Sequence, residues 1–203
     1  MIKSGLNMTA APILCTAFAN SKRIAAGPLP DVARQAKLAF DHDRWAQVLI
    51  FDDATSELIE VDFRGTPDDV VARLPPPATA EDTQQEAAGP RGPGRPRLGV
   101  VAREVTLLPL HWEWLSAQPG GASVALRKLV EHARLGGRDK DRKRRAQESC
   151  YRFLSAMAGN ETNFEEATRA LFAGRRSAFH EITEPWTKDV RDHARRLAAA
   201  CTE

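Results

Sequence analysis

Three consecutive prolines, Pro75-Pro76-Pro77, open a stretch of about 25 residues, 75–99, that carries no sign of helix or strand. Pro, Ala, Gly, Gln and acidic residues fill it, aromatics are absent, and apolar residues recur at neither the helical nor the strand period. A structureless run of that length separates domains more readily than it joins elements within one. The reading is therefore a module over 1–74, a linker over 75–99, and a second structured part over 100–203. No long apolar run suited to a membrane span interrupts this plan.

The first part reads as ββαββα. Ile13 to Ala19 is short and β-prone, Asn20-Ser21-Lys22 makes a turn, and Arg23 to Ala26 returns as the partner strand. Pro30-Asp31 opens a helix whose apolar residues Val32, Ala36, Leu38, Ala39 and Phe40 mostly share one face. Val48 to Phe51 has a buried-strand pattern ended by Asp52-Asp53, and Leu58 to Phe63 alternates as a strand with one wet face. Thr66-Pro67-Asp68-Asp69 combines an N-cap, a proline at the first helical position and acids at the positive end of the helix dipole. That helix is expected to run to Leu74. Residues 1–8 read as a loose leader. The stretch from Lys3 to Ala17-Phe18-Ala19 mimics a signal peptide, but Asn7, Thr9 and Pro12 interrupt it. The three cysteines, Cys15, Cys150 and Cys201, are far apart and odd in number, which suits a reducing compartment and a cytoplasmic protein.

Charge is distributed unevenly. Residues 1–88 carry 8 Lys/Arg against 13 Asp/Glu, whereas residues 89–145 carry 13 against 5, a balance of +8. Such asymmetry points to a polyanionic partner for the middle of the chain, DNA first, with an acidic protein surface as the alternative. Three features lie there. Arg91-Gly92-Pro93-Gly94-Arg95-Pro96-Arg97 resembles an AT-hook core. In that motif prolines keep the backbone extended, glycine permits close approach, and guanidinium groups enter narrow A·T-rich minor grooves. It is not a dinucleotide loop, because Arg97 stands where a third glycine is needed.

The second feature is Arg103-Glu104-Val105-Thr106-Leu107-Leu108-Pro109, then Leu110 to Gln118, a glycine turn, and an amphipathic stretch from Val124 to Leu135. Leu126, Leu129, Val130 and Ala133 recur there at helical spacing, with Ser123 placed to cap the helix. This order resembles a ribbon-helix-helix unit. The resemblance implies a homodimer in which two strands pair into a ribbon in the major groove. Val105 and Leu107 would then be core, and Glu104, Thr106 and Leu108 would face the bases. Ser123 and nearby helix amides would hold a phosphate, with Arg103, Arg127 and Lys128 adding charge. The third feature, Arg138 to Arg145, has six positive charges in eight residues and reads as a sequence-independent phosphate grip or as a solvated helix start or linker.

Four helices are expected beyond it: Lys143 to Met157, Asn163 to Phe172, a short one around Phe179 and Ile182, and Asp189 to Ala200. The fold class is α+β with a helical C-terminus. Two strings, Gly94 to Pro109 and Phe164 to Gly174, carry a resemblance across nearly the whole chain to a bacterial family known as a domain of unknown function. That resemblance implies no established activity.

No catalytic, cofactor or metal set is legible. The sequence holds no HExxH, GxSxG or GxxxxGK[ST] pattern. Asp52-Asp53 suits a hairpin turn better than a metal. His180 and His193 read as surface histidines, and Trp112, Trp114 and Trp186 as core anchors, although Trp112 and Trp114 cannot share one helix face. The function expected is DNA binding, in the manner of a transcriptional regulator, with a protein adaptor as the alternative and an enzyme third.

Overall fold

The computed structural model describes residues 12–75 and 103–201. It is a mixed α+β protein whose elements run β1 (Leu14–Ala19), β2 (Lys22–Pro28), α1 (Leu29–His42), β3 (Val48–Asp52), α2 (Pro67–Ala72), α3 (Pro109–Ser116), α4 (Gly121–Met157), α5 (Phe164–Phe172), α6 (Arg176–Ile182) and α7 (Lys188–Ala199). The chain divides into two compact units. Unit one takes the described residues up to 75 together with those from Lys140 onward; unit two takes those from 103 to Asp139. Helix α4 contributes to both.

In unit one the three strands form an antiparallel sheet in the order β2-β1-β3. The two-residue turn at Asn20-Ser21 works because Asn20 tolerates its left-handed φ of 53°. β1 is central, so both its edges are hydrogen-bonded, and packing covers both its faces. Cys15 and Ala17 pack with Leu29, Val32 and Ala36 of α1 and with Ile50 of β3. Phe18 and Phe51 point the other way, into a core with Cys150, Phe153 and Leu154 of α4, Ala167 and Leu171 of α5, Phe179 of α6, and Val190 and Ala194 of α7. Side-chain alternation along a strand produces this division directly. The 1–74 stretch therefore encloses a small core of its own on the α1 side of the sheet and shares the core on the other side with helices beyond residue 140. Hydrogen bonds join the same partners: Ser56 and Ser149 hydroxyls meet at 2.8 Å in the interior, and the Arg23 amide donates to Asp189 at 2.9 Å.

Two expectations for the first part need correction. Leu58 to Phe63 is not a strand; it makes one bridge, Phe51 to Leu58, and one further backbone bond from Ile59 to Ile50 at 2.8 Å. Beyond that point side chains take over the backbone groups. Asp62 accepts from the Arg64 amide at 3.1 Å, and the Arg73 guanidinium donates to the carbonyls of Asp62 and Arg64. The helix before them is also less simply amphipathic than its spacing suggests, since Leu38 is exposed and Lys37 is buried. By contrast, α2 starts as its sequence demands: Thr66 and Asp69 form a reciprocal capping box around Pro67. Asp52 accepts from the amides of Ala54 and Thr55 at 2.8 and 2.9 Å, which is the turn chemistry expected of it.

Helix α4 differs most from its sequence. The break foreseen between Val124–Leu135 and Lys143–Met157 is absent, and one 37-residue helix runs through Gly136-Gly137 and the basic run. Glu131–Arg134 and Asp141–Arg144 ion pairs at i,i+3 spacing support it there, at 2.7 and 3.3 Å. Lys, Arg, Leu and Ala are also strong helix formers, which offsets the two glycines.

His193 of α7 is not a surface residue. It is 3% exposed, and its ring lies 4.4 Å from that of Phe153 and 5.3 Å from that of Phe18. Burial, with the positive charges of Arg196 and Arg23, pushes its pKa down to about 3. The folded ring thus stays neutral where an unfolded histidine, titrating near about 6.5, takes up a proton. The unfolded state binds more protons between those values, so stability falls as pH drops through that window, by about 1.4 kcal/mol per pH unit from this group alone. His193→Gln is expected to flatten the pH dependence of stability between about pH 7 and 5, read by urea denaturation. An unchanged slope would mean that the ring titrates freely in the folded protein. His180 is half-buried, and its Nε2 has no hydrogen-bond partner among the described residues.

Candidate nucleic-acid interface

Unit two begins with Arg103 to Leu108, which forms neither helix nor strand. A ribbon strand draws its ladder from a second chain, and among the described residues nothing in this chain pairs with the segment. Leu108 keeps extended angles, φ −65° and ψ 149°, and Pro109 then starts α3 at its first position. Val105, expected in the core, is 56% exposed, and Leu108 is 63% exposed. Leu107 is half-buried. The segment is not an interior strand.

Helices α3 and α4 bury little between them: Leu115 and Ala125 are the fully buried apolar residues of this unit among those described. Both tryptophans of α3 remain exposed, which corrects their reading as core anchors; Trp186, in the turn after α6, is the anchor expected of it, buried with its indole N–H donating to the Thr162 carbonyl at 2.8 Å. Leu107, Leu110, His111, Trp114, Leu126 and Leu129 line an open groove of about 460 Å³. The apolar residues Leu126, Leu129, Val130 and Ala133, chosen from helical spacing, do lie on one side of α4, and their outer surfaces face solvent. A helix normally spends such a stripe on a partner.

The polar candidates distribute as follows. Arg103 and Thr106 are exposed on the extended segment. Ser123 is exposed but sits inside the first turn of α4, because the helix already starts at Gly121; it is not the N-cap. Arg127 follows it at i,i+4 and shares its face, and Lys128 is exposed on a neighbouring one. Arg91, Arg95, Pro96 and Arg97 lie outside the described residues.

Spacing also adds Arg134 to the candidates and ties it to Arg138, the first residue of the basic run. Arg134 and Arg138 stand 7 and 11 positions beyond Arg127, two and three helical turns along the same row. Arg134 is held by Glu131 through a two-pronged bond of 2.9 and 2.7 Å. That bond, with the charges of Arg134 and Arg138, keeps the Glu131 carboxyl below its ordinary pKa, so the row carries one acid among three arginines. The signal was present in the sequence as a 7-then-4 arginine spacing, masked by the more conspicuous run that follows.

Among the described residues no group of three or more His, Cys, Asp or Glu side chains is placed to hold a metal ion, and no helix is long and apolar enough to cross a membrane. The three cysteines are buried; the Cys15 thiol is pushed up to about 12 by burial and then by Asp53 and Asp52, and Cys150 is raised by burial as well. Buried, protonated thiols of this kind are inert.

The chain matches, over residues 14–198, the model of a family described as an uncharacterised protein conserved in bacteria, DUF2239, and belongs to that family. No curated protein and no solved structure matches it.

Proposed function

We propose, for a member of a family whose description carries no activity, that the protein binds DNA as a homodimer through unit two. The observation that carries this reading is an exposed, unpaired apolar segment at Val105 and Leu108 beside an open apolar groove, with Arg103, Arg127 and Lys128 on the same small unit. Apolar surface of this extent is costly in water unless something covers it. A second copy offering the same segment and groove would cover both at once, in the self-complementary manner of a two-fold interface. The arginines would then be duplicated on the assembled pair, where duplex DNA offers a regular row of phosphates.

Thr106 suits a base-facing role, since its hydroxyl both donates and accepts. Glu104 is limited to accepting from a cytosine amino group, and Leu108 carries apolar contact alone. The charge therefore supports affinity more than sequence choice. The arginines of Arg91 to Arg97 would add minor-groove contacts next to this unit. The same apolar groove supports a second reading, an adaptor that docks a protein segment there and uses its basic residues on an acidic partner.

Titration of fluorescent mixed-sequence duplexes across a salt series tests the first reading. The expected result is binding at low salt that weakens steeply as salt rises, by roughly 0.9 in log affinity per log unit of salt for each phosphate neutralised. Arg95→Ala with Arg97→Ala should weaken binding most on A·T-rich duplexes. Affinity that is absent at low salt, or indifferent to salt, ends this reading and leaves the adaptor.

A further inference from the structure

Unit one contains a cavity of about 560 Å³ that none of the preceding roles uses. Its walls are the last turns of α1, with Lys37, Phe40 and Asp41, then Arg44 in the turn beyond that helix, and the segment from Val61 to Gly65. That volume lies within the range of about 300–1,000 Å³ typical of small-molecule sites.

The walls are built before any ligand arrives. The rings of Phe40 and Phe63 stack on each other at 5.3 Å with 23° between their planes, forming one aromatic wall. The segment opposite α1 is clamped by its own side chains. Asp62 grips Arg64 through bonds of 2.9, 3.0 and 2.7 Å, and Arg73 reaches the Asp62 carboxylate at 3.4 Å as well as the two carbonyls. These contacts hold the Asp62 carboxyl well below the ordinary carboxylate range.

The charges also leave a clear remainder. Asp62 is answered by Arg64 and Arg73. Asp41 accepts from the Lys37 ammonium at 2.5 Å, and Lys37 is only 6% exposed. An ammonium has three donors, and this is the one hydrogen bond it makes among the described residues. The same nitrogen lies 5.9 Å from the centroid of the Phe40 ring. Arg44, which is exposed, forms no ion pair among the described residues. The uncompensated charge lining the cavity is therefore positive, and it sits beside an aromatic wall.

We propose that this cavity binds a small aromatic or heteroaromatic acid, its ring against Phe40 and Phe63 and its anionic group on Arg44 and the spare donors of Lys37. A guanidinium presents two parallel N–H groups to a carboxylate or phosphate, and flat rings stack on aromatic walls in offset geometry. Neither group alone selects the ligand; the acid and the ring are required together. The inference is independent of the nucleic-acid reading, because it uses residues of unit one alone.

The chemistry has two natural sources, an aryl carboxylate or a nucleotide, and the test separates them. Calorimetric titration of the full chain would use salicylate, adenosine monophosphate, benzamide as a ring without charge, and sulfate as charge without a ring. One of the two acids is expected to bind at least tenfold more tightly than benzamide or sulfate, and the one that does identifies the source. Arg44→Ala should weaken that binding tenfold or more while leaving the circular-dichroism spectrum and melting temperature unchanged. Phe40→Leu, which keeps an apolar side chain at the wall, should weaken it as well. Binding of neither acid, equal binding of sulfate, or affinity indifferent to both substitutions would overturn the proposal.

Discussion

Replacing Phe153 by alanine is expected to cost about 3–5 kcal/mol of unfolding free energy, a large share of the 5–15 kcal/mol that holds a typical domain together. Phe153 is fully buried, and its ring lies 5.5 Å from that of Phe18 on β1, 5.2 Å from Phe51 on β3, and 4.4 Å from His193 on α7. Removing the ring leaves a cavity where sheet and helices meet, and it deletes three aromatic contacts of about 0.5–1.5 kcal/mol each beyond simple burial. The loss should appear as a lower urea midpoint with an unchanged slope, and in a single transition followed by both near- and far-ultraviolet dichroism. Leu38→Ala, on the exposed side of α1, should stay within about 0.5 kcal/mol. Two separated transitions in Phe153→Ala would mean that the strands and the C-terminal helices fold independently. A single transition supports one shared core.

That shared core marks the boundary of what the sequence discloses. Local signals act within a few residues, and they were legible: the Asn20-Ser21 turn, the Asp52 turn, the Thr66–Asp69 capping box, and the helices over Phe164–Phe172 and Lys188–Ala199. Leu58 to Phe63 misled because alternation describes a strand but does not supply a ladder partner; Asp62, Arg64 and Arg73 took the backbone groups first. The fate of Phe18 depended on residues more than 130 positions away, which no local period encodes. His193 was misplaced for the same reason. Its neighbours in sequence are charged, while its neighbours in space are Phe18 and Phe153. In α4, the glycine pair and the charge run imitate a linker, and continuity follows from the helix formers and ion pairs around them. At the candidate interface the residue types were legible, but the groove that joins Leu107 to Trp114 and Leu129 required the packing of α3 against α4.

Leu129→Glu should dissociate the proposed dimer and, with it, most DNA affinity. Leu129 lines the groove of unit two and is 47% exposed in the single chain, so the substitution removes little from the monomer itself. In a two-fold pair the change occurs twice. Fully burying a leucine contributes about 1.5–3 kcal/mol and about half of Leu129 is left to bury, so two losses amount to roughly 1.5–3 kcal/mol before the larger cost of burying two carboxylates is added. Since each 1.4 kcal/mol is tenfold, the dimer constant should weaken by at least about a hundredfold. Sedimentation should therefore show the wild type as a dimer and Leu129→Glu as a monomer at micromolar concentration. Fluorescence anisotropy should show the variant losing DNA affinity along with the second set of phosphate contacts. Arg127→Ala with Lys128→Ala provides the converse: sedimentation unchanged, affinity lowered on every duplex, and the salt slope reduced by about 1 for each phosphate contact removed. The pair of variants separates assembly from contact. A Leu129→Glu protein that still sediments as the wild type and still binds DNA would place the apolar groove outside the mechanism. A wild type that is already monomeric while binding DNA would leave the arginine row of α4 to act alone, without the ribbon that a second chain would complete.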